Sequence, residues 1–268
     1  MSPAWTSGCL SLSKILVISR DPQPGDALCH LPAICALADE HDTVYLAFAN
    51  QQILSIADLP ENVVDVLQAE PVWKRKSMLT QTLGVAASID YCHRTDIMHP
   101  TQHLIEWCGL PVPAEVPQPK IRVADVPQSG EVSHAFEVVL APWTSAPERG
   151  MTHAQATELC AALKGLDVTL IGGESDPVIV ASPHRFYGGT YPFIVRTMRR
   201  ARVVVTVDSF PNRLAHAAGI ERHIILDSGA TPWQWQSHPG AVRVQGKLVD
   251  GQATWNIDDI VNTIEGGL

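Results

Sequence analysis

From Arg202 to Gly219 the chain reads Arg-Val-Val-Val-Thr-Val-Asp-Ser-Phe-Pro-Asn-Arg-Leu-Ala-His-Ala-Ala-Gly, and this stretch limits the choice of fold more than any other. Every residue from Val203 to Val207 is β-branched, so neither face of such a strand is suited to water. Strands of that kind belong to parallel sheets covered on both faces. Asp208 or Ser209 then caps a helix that Pro211 starts and Gly219 stops. A strand-to-helix turn of this kind aims backbone N–H groups, and the positive end of a helix dipole, at whatever lies above the sheet edge. An anionic ligand suits that place. An ordinary βα turn with a capping Asp uses the same residues.

The same alternation runs along the whole chain. Lys14-Ile-Leu-Val-Ile-Ser19 is a buried strand that enters the loop Arg20-Asp-Pro-Gln-Pro-Gly25-Asp26. Beyond it Ala27, Leu28, Leu31, Ile34, Cys35 and Leu37 recur at helical spacing, so Gly25-Asp26 opens a helix at the carboxyl end of the first strand. Doubly wound sheets bind their ligands at that edge. The loop carries neither G-x-G-x-x-G nor G-x-x-x-x-G-K-[ST], which argues against a dinucleotide dehydrogenase and a P-loop enzyme. Strands at 43–49, 63–67 and about 89–91 follow, with helical stretches at 51–57 and 101–108. Residues 111–134 are rich in proline and turn formers and read as a linker, dividing a domain at 1–128 from one at 129–268. The pattern then begins again, with strands at 136–141, 168–171, 203–207 and 222–226 and helices at 153–163 and 194–201. A last helix near 258–264 has no evident partner in the second half and is expected to return to the first. The fold class is α/β, with two Rossmann-like parallel sheets.

With 19 basic and 28 acidic residues, the chain of 268 carries a net charge of −9, which disfavours attachment of the whole molecule to nucleic acid or anionic lipid. Two local basic groups remain. Lys74, Arg75 and Lys76 form either a solvated loop or a grip on an acidic or phosphorylated acceptor. Arg196, Arg199, Arg200 and Arg202 form a solvated helix face or meet the phosphates of a lipid or nucleic-acid acceptor, so a nucleic-acid acceptor is not excluded. The six cysteines include no C-x-x-C pair, as expected of reduced thiols in a cytoplasmic protein. No stretch approaches the ~18 to 20 apolar residues of a membrane span, and the first residues lack the charged region of a signal peptide. His93, His99 and His103 invite a metal reading, but no Cys or carboxylate completes a ligand pattern, so neither a metal nor a cofactor is expected.

The residues also carry a family likeness. Lys14-Ile-Leu-Val-Ile-Ser with Pro24-Gly25-Asp26-Ala27-Leu28 and Leu31-Pro32-Ala33-Ile34 resembles the opening of the bacterial heptosyltransferases, glycosyltransferase family 9. In the second half, Val139-Leu-Ala-Pro142 with Thr144 and Arg149 resembles the family's strand and basic loop. Leu170-Ile-Gly172-Gly173-Glu174 resembles its glycine-acid turn, and Asp208-Ser209-x-Pro211-x-x-Leu214-Ala215 its D-[ST]-G-P-x-H-[LV]-A signature. Phe210 and Arg213 stand where that signature has glycine and histidine. The resemblance implies the GT-B architecture, two such domains facing across a cleft. It also implies inverting, metal-independent transfer of a heptose-like sugar or hexose from a nucleoside diphosphate donor, ADP-sugar favoured, to a saccharide, glycolipid or other hydroxyl acceptor. By the same resemblance Asp26 would be the general base and Arg149 would stabilise the leaving diphosphate. Gly25, Thr144, Gly172, Gly173, Glu174, Asp208, Ser209, Phe210 and Arg213 would line the donor, and Lys74, Arg75 and Lys76 would meet the acceptor. A non-catalytic nucleotide-sugar-binding protein and a sugar-nucleotide epimerase or hydrolase of the same fold are the alternatives.

Overall fold

A computed structural model describes residues 14–20, 23–66, 76–85, 87–91, 98–122, 136–172, 185–186, 189–230 and 240–267. Lys74, Arg75, Gly173, Glu174 and His93 lie outside the described residues. The chain forms two compact units, Met1–Lys120 and Ile121–Leu268.

The first unit runs β1 (Lys14–Ser19), α1 (Pro24–Glu40), β2 (Thr43–Phe48), a 3-10 turn (Gln51–Ser55), β3 (Val63–Asp65), α2 (Lys76–Leu83), β4 (Ala87–Tyr91) and α3 (Pro100–Trp107). Its strands are all parallel, in the order β3-β2-β1-β4. β1 is central because every residue after Lys14 is apolar or small, and Leu16, Val17 and Ile18 are fully buried. α1 buries Ala27, Leu28, Leu31, Ile34 and Leu37, each fully buried Leu or Ile contributing about 1.5–3 kcal/mol. It is also pinned through its backbone: Thr101 Oγ1 donates to Cys29 O at 2.6 Å, and Asn62 Nδ2 donates to Ala38 O and His41 O, both at 2.8 Å. Asn62 thereby satisfies carbonyls that the end of the helix leaves open.

Two expectations for this half need correction. Of the basic knot only Lys76 is among the described residues, and it starts α2 rather than standing in a loop; that helix escaped notice since it buries only Leu79. Nor is the whole proline-rich stretch a free linker. Gln102 Nε2 donates to Pro113 O at 2.9 Å, Asp58 N donates to Lys120 O at 3.1 Å, and Val116 is buried, so residues 111–120 pack on the first unit.

The second unit runs β5 (Phe136–Ala141), α4 (His153–Ala162), β6 (Val168–Leu170), β7 (Arg185–Phe186), α5 (Tyr191–Arg199), β8 (Ala201–Val207), α6 (Phe210–Ala217), β9 (His223–Asp227), β10 (Val242–Gln245), β11 (Lys247–Val249), β12 (Gln252–Thr254) and α7 (Ile257–Gly267). Six strands make a parallel sheet in the order β10-β9-β8-β5-β6-β7, while β11 and β12 form a separate antiparallel hairpin. β8 sits inside the sheet, as its β-branched run requires. Its one hydroxyl, on Thr206, lies 2.8 Å from Nε2 of the buried His223. Gly219 stops α6 with φ +68; its N–H donates to His216 O and that of Ile220 to Ala215 O, the paired bonds of a Schellman motif. The terminal helix, for which the sequence offered no partner in this half, has one. Ile257, Ile260 and Ile264 join a core with Ala156, Leu159 and Cys160 of α4 and with Val203 and Val205 of β8.

Candidate functional site

In each parallel sheet the strand order reverses at one place, between β1 and β4 in the first and between β5 and β8 in the second. Loops leaving the two strands diverge there, and the space above the carboxyl ends is where open α/β sheets hold ligands. In the second unit those loops carry Trp143, Thr144 and Arg149 after β5, and Asp208 and Ser209 after β8.

The structure brings Arg149 and Asp208 together. Arg149 Nη1 lies 3.6 Å from Asp208 Oδ2, with the arginine side chain 29% exposed and the aspartate only 2%. At that distance the contact is an ion pair without a hydrogen bond, and Oδ2 is a buried acceptor with no donor. The loop holding Arg149 is tied down at several points. Met151 N donates to Pro142 O at 2.9 Å, and Gln252 Nε2, from β12, donates to Pro147 O at 2.6 Å and Gly150 O at 2.9 Å. A side chain at Gly150 would stand 2.9 Å from Thr144 Cγ2, so glycine is what lets the loop fold onto Thr144.

Two further buried polar atoms, on the helix and loop that leave this edge, lack a hydrogen-bond partner. Asn212, in the first turn of α6, is 1% exposed and its Oδ1 is unpartnered, and the indole Nε1 of Trp143, in the loop after β5, is likewise buried without an acceptor. Unpartnered buried polar groups are rare and costly, about 1–3 kcal/mol each. Arg213 is buried one residue further on. Gly172 follows β6 at the same edge and is half-buried.

The start of α6 differs from the sequence expectation in two ways. Ser209 occupies the N-cap position, yet its side chain makes no capping bond; Oγ donates to Val207 O at 3.4 Å instead. Nor is the first turn rich in open amides, because Pro211 has no N–H and that of Asn212 donates to Ser209 O at 3.1 Å. Side chains therefore supply more of the polarity here than backbone does. Phe210, the first helical residue, turns its ring toward Tyr191 at the start of α5, with centroids 4.6 Å apart and planes at 52°.

In the first unit Asp26 is the third residue of α1. The helix begins at Pro24 after Gln23, so the first turn opens before the expected Gly25-Asp26, and Asp26 is not the N-cap. Its carboxylate lies in the first turn, where the helix dipole favours negative charge, while Gly25 is buried beside it. The neighbouring Arg20 and Asp90, which sequence reading passed over, make a two-pronged ion pair across the ends of β1 and β4. Lys76 Nζ approaches the same carboxylate at 3.9 Å, so of the expected acceptor group Lys76 stands at this edge. An inventory of ionisable residues at strand carboxyl ends would have found Asp90. Beneath them the buried Ser19 and His30 are joined, Oγ to Nδ1, at 2.8 Å.

Other candidates find structural roles. His99 caps α3, its Nδ1 accepting from Thr101 N at 3.2 Å, and His103 Nδ1 lies 2.8 Å from Tyr91 Oη. Among the described residues no group of three or more His, Cys, Asp or Glu is placed to hold a metal. Arg196 and Arg199 occupy the last turn of α5, where positive charge suits the helix dipole, and Arg199 Nε donates to Ala218 O at 3.5 Å. That puts them at the amino end of β8, the opposite edge from Asp208. A cavity of 710 Å³ in the first unit, lined by Pro32, Cys35, Asp39, Asp58, Ile105 and Lys120, also lies toward the far half of α1 from Asp26. No helix among the described residues is long and apolar enough to cross a membrane.

No protein-family profile and no curated protein sequence matches the chain. Solved structures do. A family 9 glycosyl transferase from Veillonella parvula superposes with a TM-score of 0.67 at 12% identity, over 96% of this chain and 98% of that one. The heptosyltransferase WaaC of E. coli, solved with ADP, gives 0.61 at 13% identity over 95% and 100%. The iron-containing dodecameric glycosyltransferase TibC of enterotoxigenic E. coli gives 0.62 at 14% identity; there 86% of this chain is covered, and the chain spans only 62% of TibC. At such identities the likeness is one of fold, and the fold of this chain is that of the heptosyltransferases and family 9 glycosyltransferases, the GT-B class.

Proposed function

We propose that the chain is an inverting glycosyltransferase that moves a sugar from a nucleoside diphosphate donor to an acceptor hydroxyl without a metal ion. The observation that carries this reading is the Arg149–Asp208 pair at the switch point of the second sheet, whose Asp208 Oδ2 is buried and accepts no hydrogen bond. A guanidinium anchored on one side by a buried carboxylate keeps its remaining N–H groups for a second anion. The leaving diphosphate gains negative charge as its bond to the sugar breaks, so Arg149, with Arg213 behind it, acts more strongly on the transition state than on bound donor. Asp208, Asn212 and the Ser209 hydroxyl accept from donor hydroxyls, Gly172 to Glu174 border the ribose, and Thr144 flanks the diphosphate. Asp26 takes the proton of the acceptor hydroxyl as it attacks, and Lys74, Arg75 and Lys76 meet an acidic acceptor. An ADP-sugar is the favoured donor, since WaaC was solved with ADP and TibC with an ADP-heptose.

A non-catalytic nucleotide-sugar-binding protein is the second reading, favoured by the scarcity of open amides at the start of α6. The two separate on Asp26→Asn. After a thermal-shift screen of ADP-, UDP-, GDP- and dTDP-sugars has found the donor, the variant should bind it as the parent does and turn over roughly 10² to 10⁴-fold more slowly. Parental turnover in the variant would remove Asp26 as the base. Donor binding with no transfer by the parent to any saccharide or lipid acceptor would favour the second reading.

A further inference from the structure

Two helices begin at the carboxyl edge of the second sheet beside Asp208. α6 leaves β8 there, and α5 starts there because it runs antiparallel to β8 before leading into it. Their first residues are Phe210 and Tyr191, whose rings meet at 4.6 Å. The apolar residues that these helices bury are others, Ile194, Val195 and Met198 on α5 and Leu214 and Ala215 on α6. Tyr191 and Phe210 are only half-buried and stand at the first positions of their helices. Gly189 and Thr190, just before them, are exposed, and the Thr190 side chain makes no capping bond. The two rings are tilted at 52° to each other, and each residue keeps part of its surface exposed. The turn and the first turn of α6 also carry two buried oxygens without a hydrogen-bond donor, Asp208 Oδ2, which faces Arg149, and Asn212 Oδ1.

A flat π-system with hydrogen-bond donors on its rim and a diphosphate attached fits this combination of stacking face, acceptors and arginine. We propose that Tyr191 and Phe210 form the platform on which the base of the nucleoside diphosphate donor stacks. The inference rests on the donor reading given above and adds the residues that recognise the nucleoside. It also accounts for Phe210, since a ring placed at the start of α6 narrows the space above the turn but offers the base a face. Stacking on aromatic side chains tolerates any base, so the platform sets affinity, and Asp208 and Asn212 set preference among bases and riboses.

The test compares ADP with inorganic pyrophosphate by calorimetry on the full chain. The parent should bind ADP about 10-fold or more tighter than pyrophosphate. Tyr191→Leu and Phe210→Leu keep apolar volume but lose the ring; each should cut that advantage about 5-fold or more while leaving pyrophosphate affinity within about twofold. Tyr191→Phe keeps the ring and should keep the advantage. The proposal is overturned if the leucine variants keep the parental ratio, if Tyr191→Phe loses it, or if pyrophosphate affinity falls as far as that of ADP. Where the screen selects another base, that nucleoside diphosphate replaces ADP; a parent that binds none of ADP, UDP, GDP, dTDP and pyrophosphate refutes the donor reading itself, whereas a parent that binds nucleotide and pyrophosphate equally refutes only the platform.

Discussion

The Arg149–Asp208 pair lets the electrostatics of the site be measured without any substrate. Two unit charges 3.6 Å apart interact by about 4–5 kcal/mol at an effective dielectric of about 20, an upper value for this pair. Water reaches the arginine, which is 29% exposed, and reduces that figure; it hardly reaches the aspartate, which is 2% exposed. The two ends of the pair should therefore respond differently to truncation. Arg149→Met strands a buried carboxylate, which costs about 3 kcal/mol, the low end of the range for breaking buried pairs. Asp208→Asn leaves a cation that can turn to solvent, and should cost about 1 kcal/mol. In the double variant no stranded charge remains, so the coupling energy from urea unfolding of all four proteins should be about 1–2 kcal/mol. A coupling below about 0.5 kcal/mol, or a larger loss from Asp208→Asn than from Arg149→Met, would show that Arg149 does not neutralise Asp208. The same substitution at Arg149 should lower kcat about 10²-fold, with a smaller effect on donor affinity.

Stability should fall in mild acid on account of His223, whose imidazole is pushed down to about 3 by burial and, secondarily, by His216. Its folded value lies below the ordinary 6.5, so its contribution is complete above about pH 6.5 and is lost as pH falls toward 3, about 2 kcal/mol between pH 7 and 5. Urea unfolding at both pH values should show a shallower dependence in His223→Asn, and an unchanged slope would clear this residue. Asn62→Ala frees the carbonyls of Ala38 and His41 at the end of α1 and should cost about 1–2 kcal/mol in thermal unfolding; a loss under about 0.3 kcal/mol would mean that water replaces the amide at no cost. Sugar transfer should persist in EDTA, because Arg149 and Arg213 meet the charge of the leaving group; turnover lost on chelation and restored by Mg²⁺ or Mn²⁺ would refute that account.

Elements with an unbroken apolar run or a strong period were legible in the sequence. β1, β5 and β8 carry such runs, and α1 carries its apolar residues at helical spacing. α2 was not legible because its single buried residue leaves no period to see, and β10 and β11 were not because Val242, Leu248 and Val249 face water. α5 starts at Tyr191, ahead of the expected 194, because Pro192 fits a first helical turn. For the site, the sequence could nominate Arg149, Asp208 and Asp26 as residue types at strand ends. It could not pair them, because the Arg149–Asp208 and Arg20–Asp90 contacts depend on which strands become neighbours, and that order is set by the sheet as a whole. Asn212 was passed over for a different reason. At the start of a helix an asparagine usually faces water, and only its burial with an unpartnered oxygen distinguishes it.

The start of α6 carries a consequence for how the site works. A glycine-bearing turn holds a diphosphate through backbone amides, which survive any change of side chain. Here Phe210 stands in place of that glycine and the Asn212 N–H donates to Ser209 O, so on the donor reading guanidinium groups meet more of the charge. Amide donors bind through fixed dipoles that are little affected by salt, whereas an arginine 29% exposed is screened within a Debye length of about 8 Å at physiological ionic strength. Donor binding in this chain should accordingly weaken with added salt more than a backbone-built site would. Burial of Arg213 sets the limit of that weakening, since a buried guanidinium is screened far less than an exposed one. On the donor reading, Phe210 and Arg213, which stand where the resembled signature has glycine and histidine, thus shift recognition from backbone toward side chains.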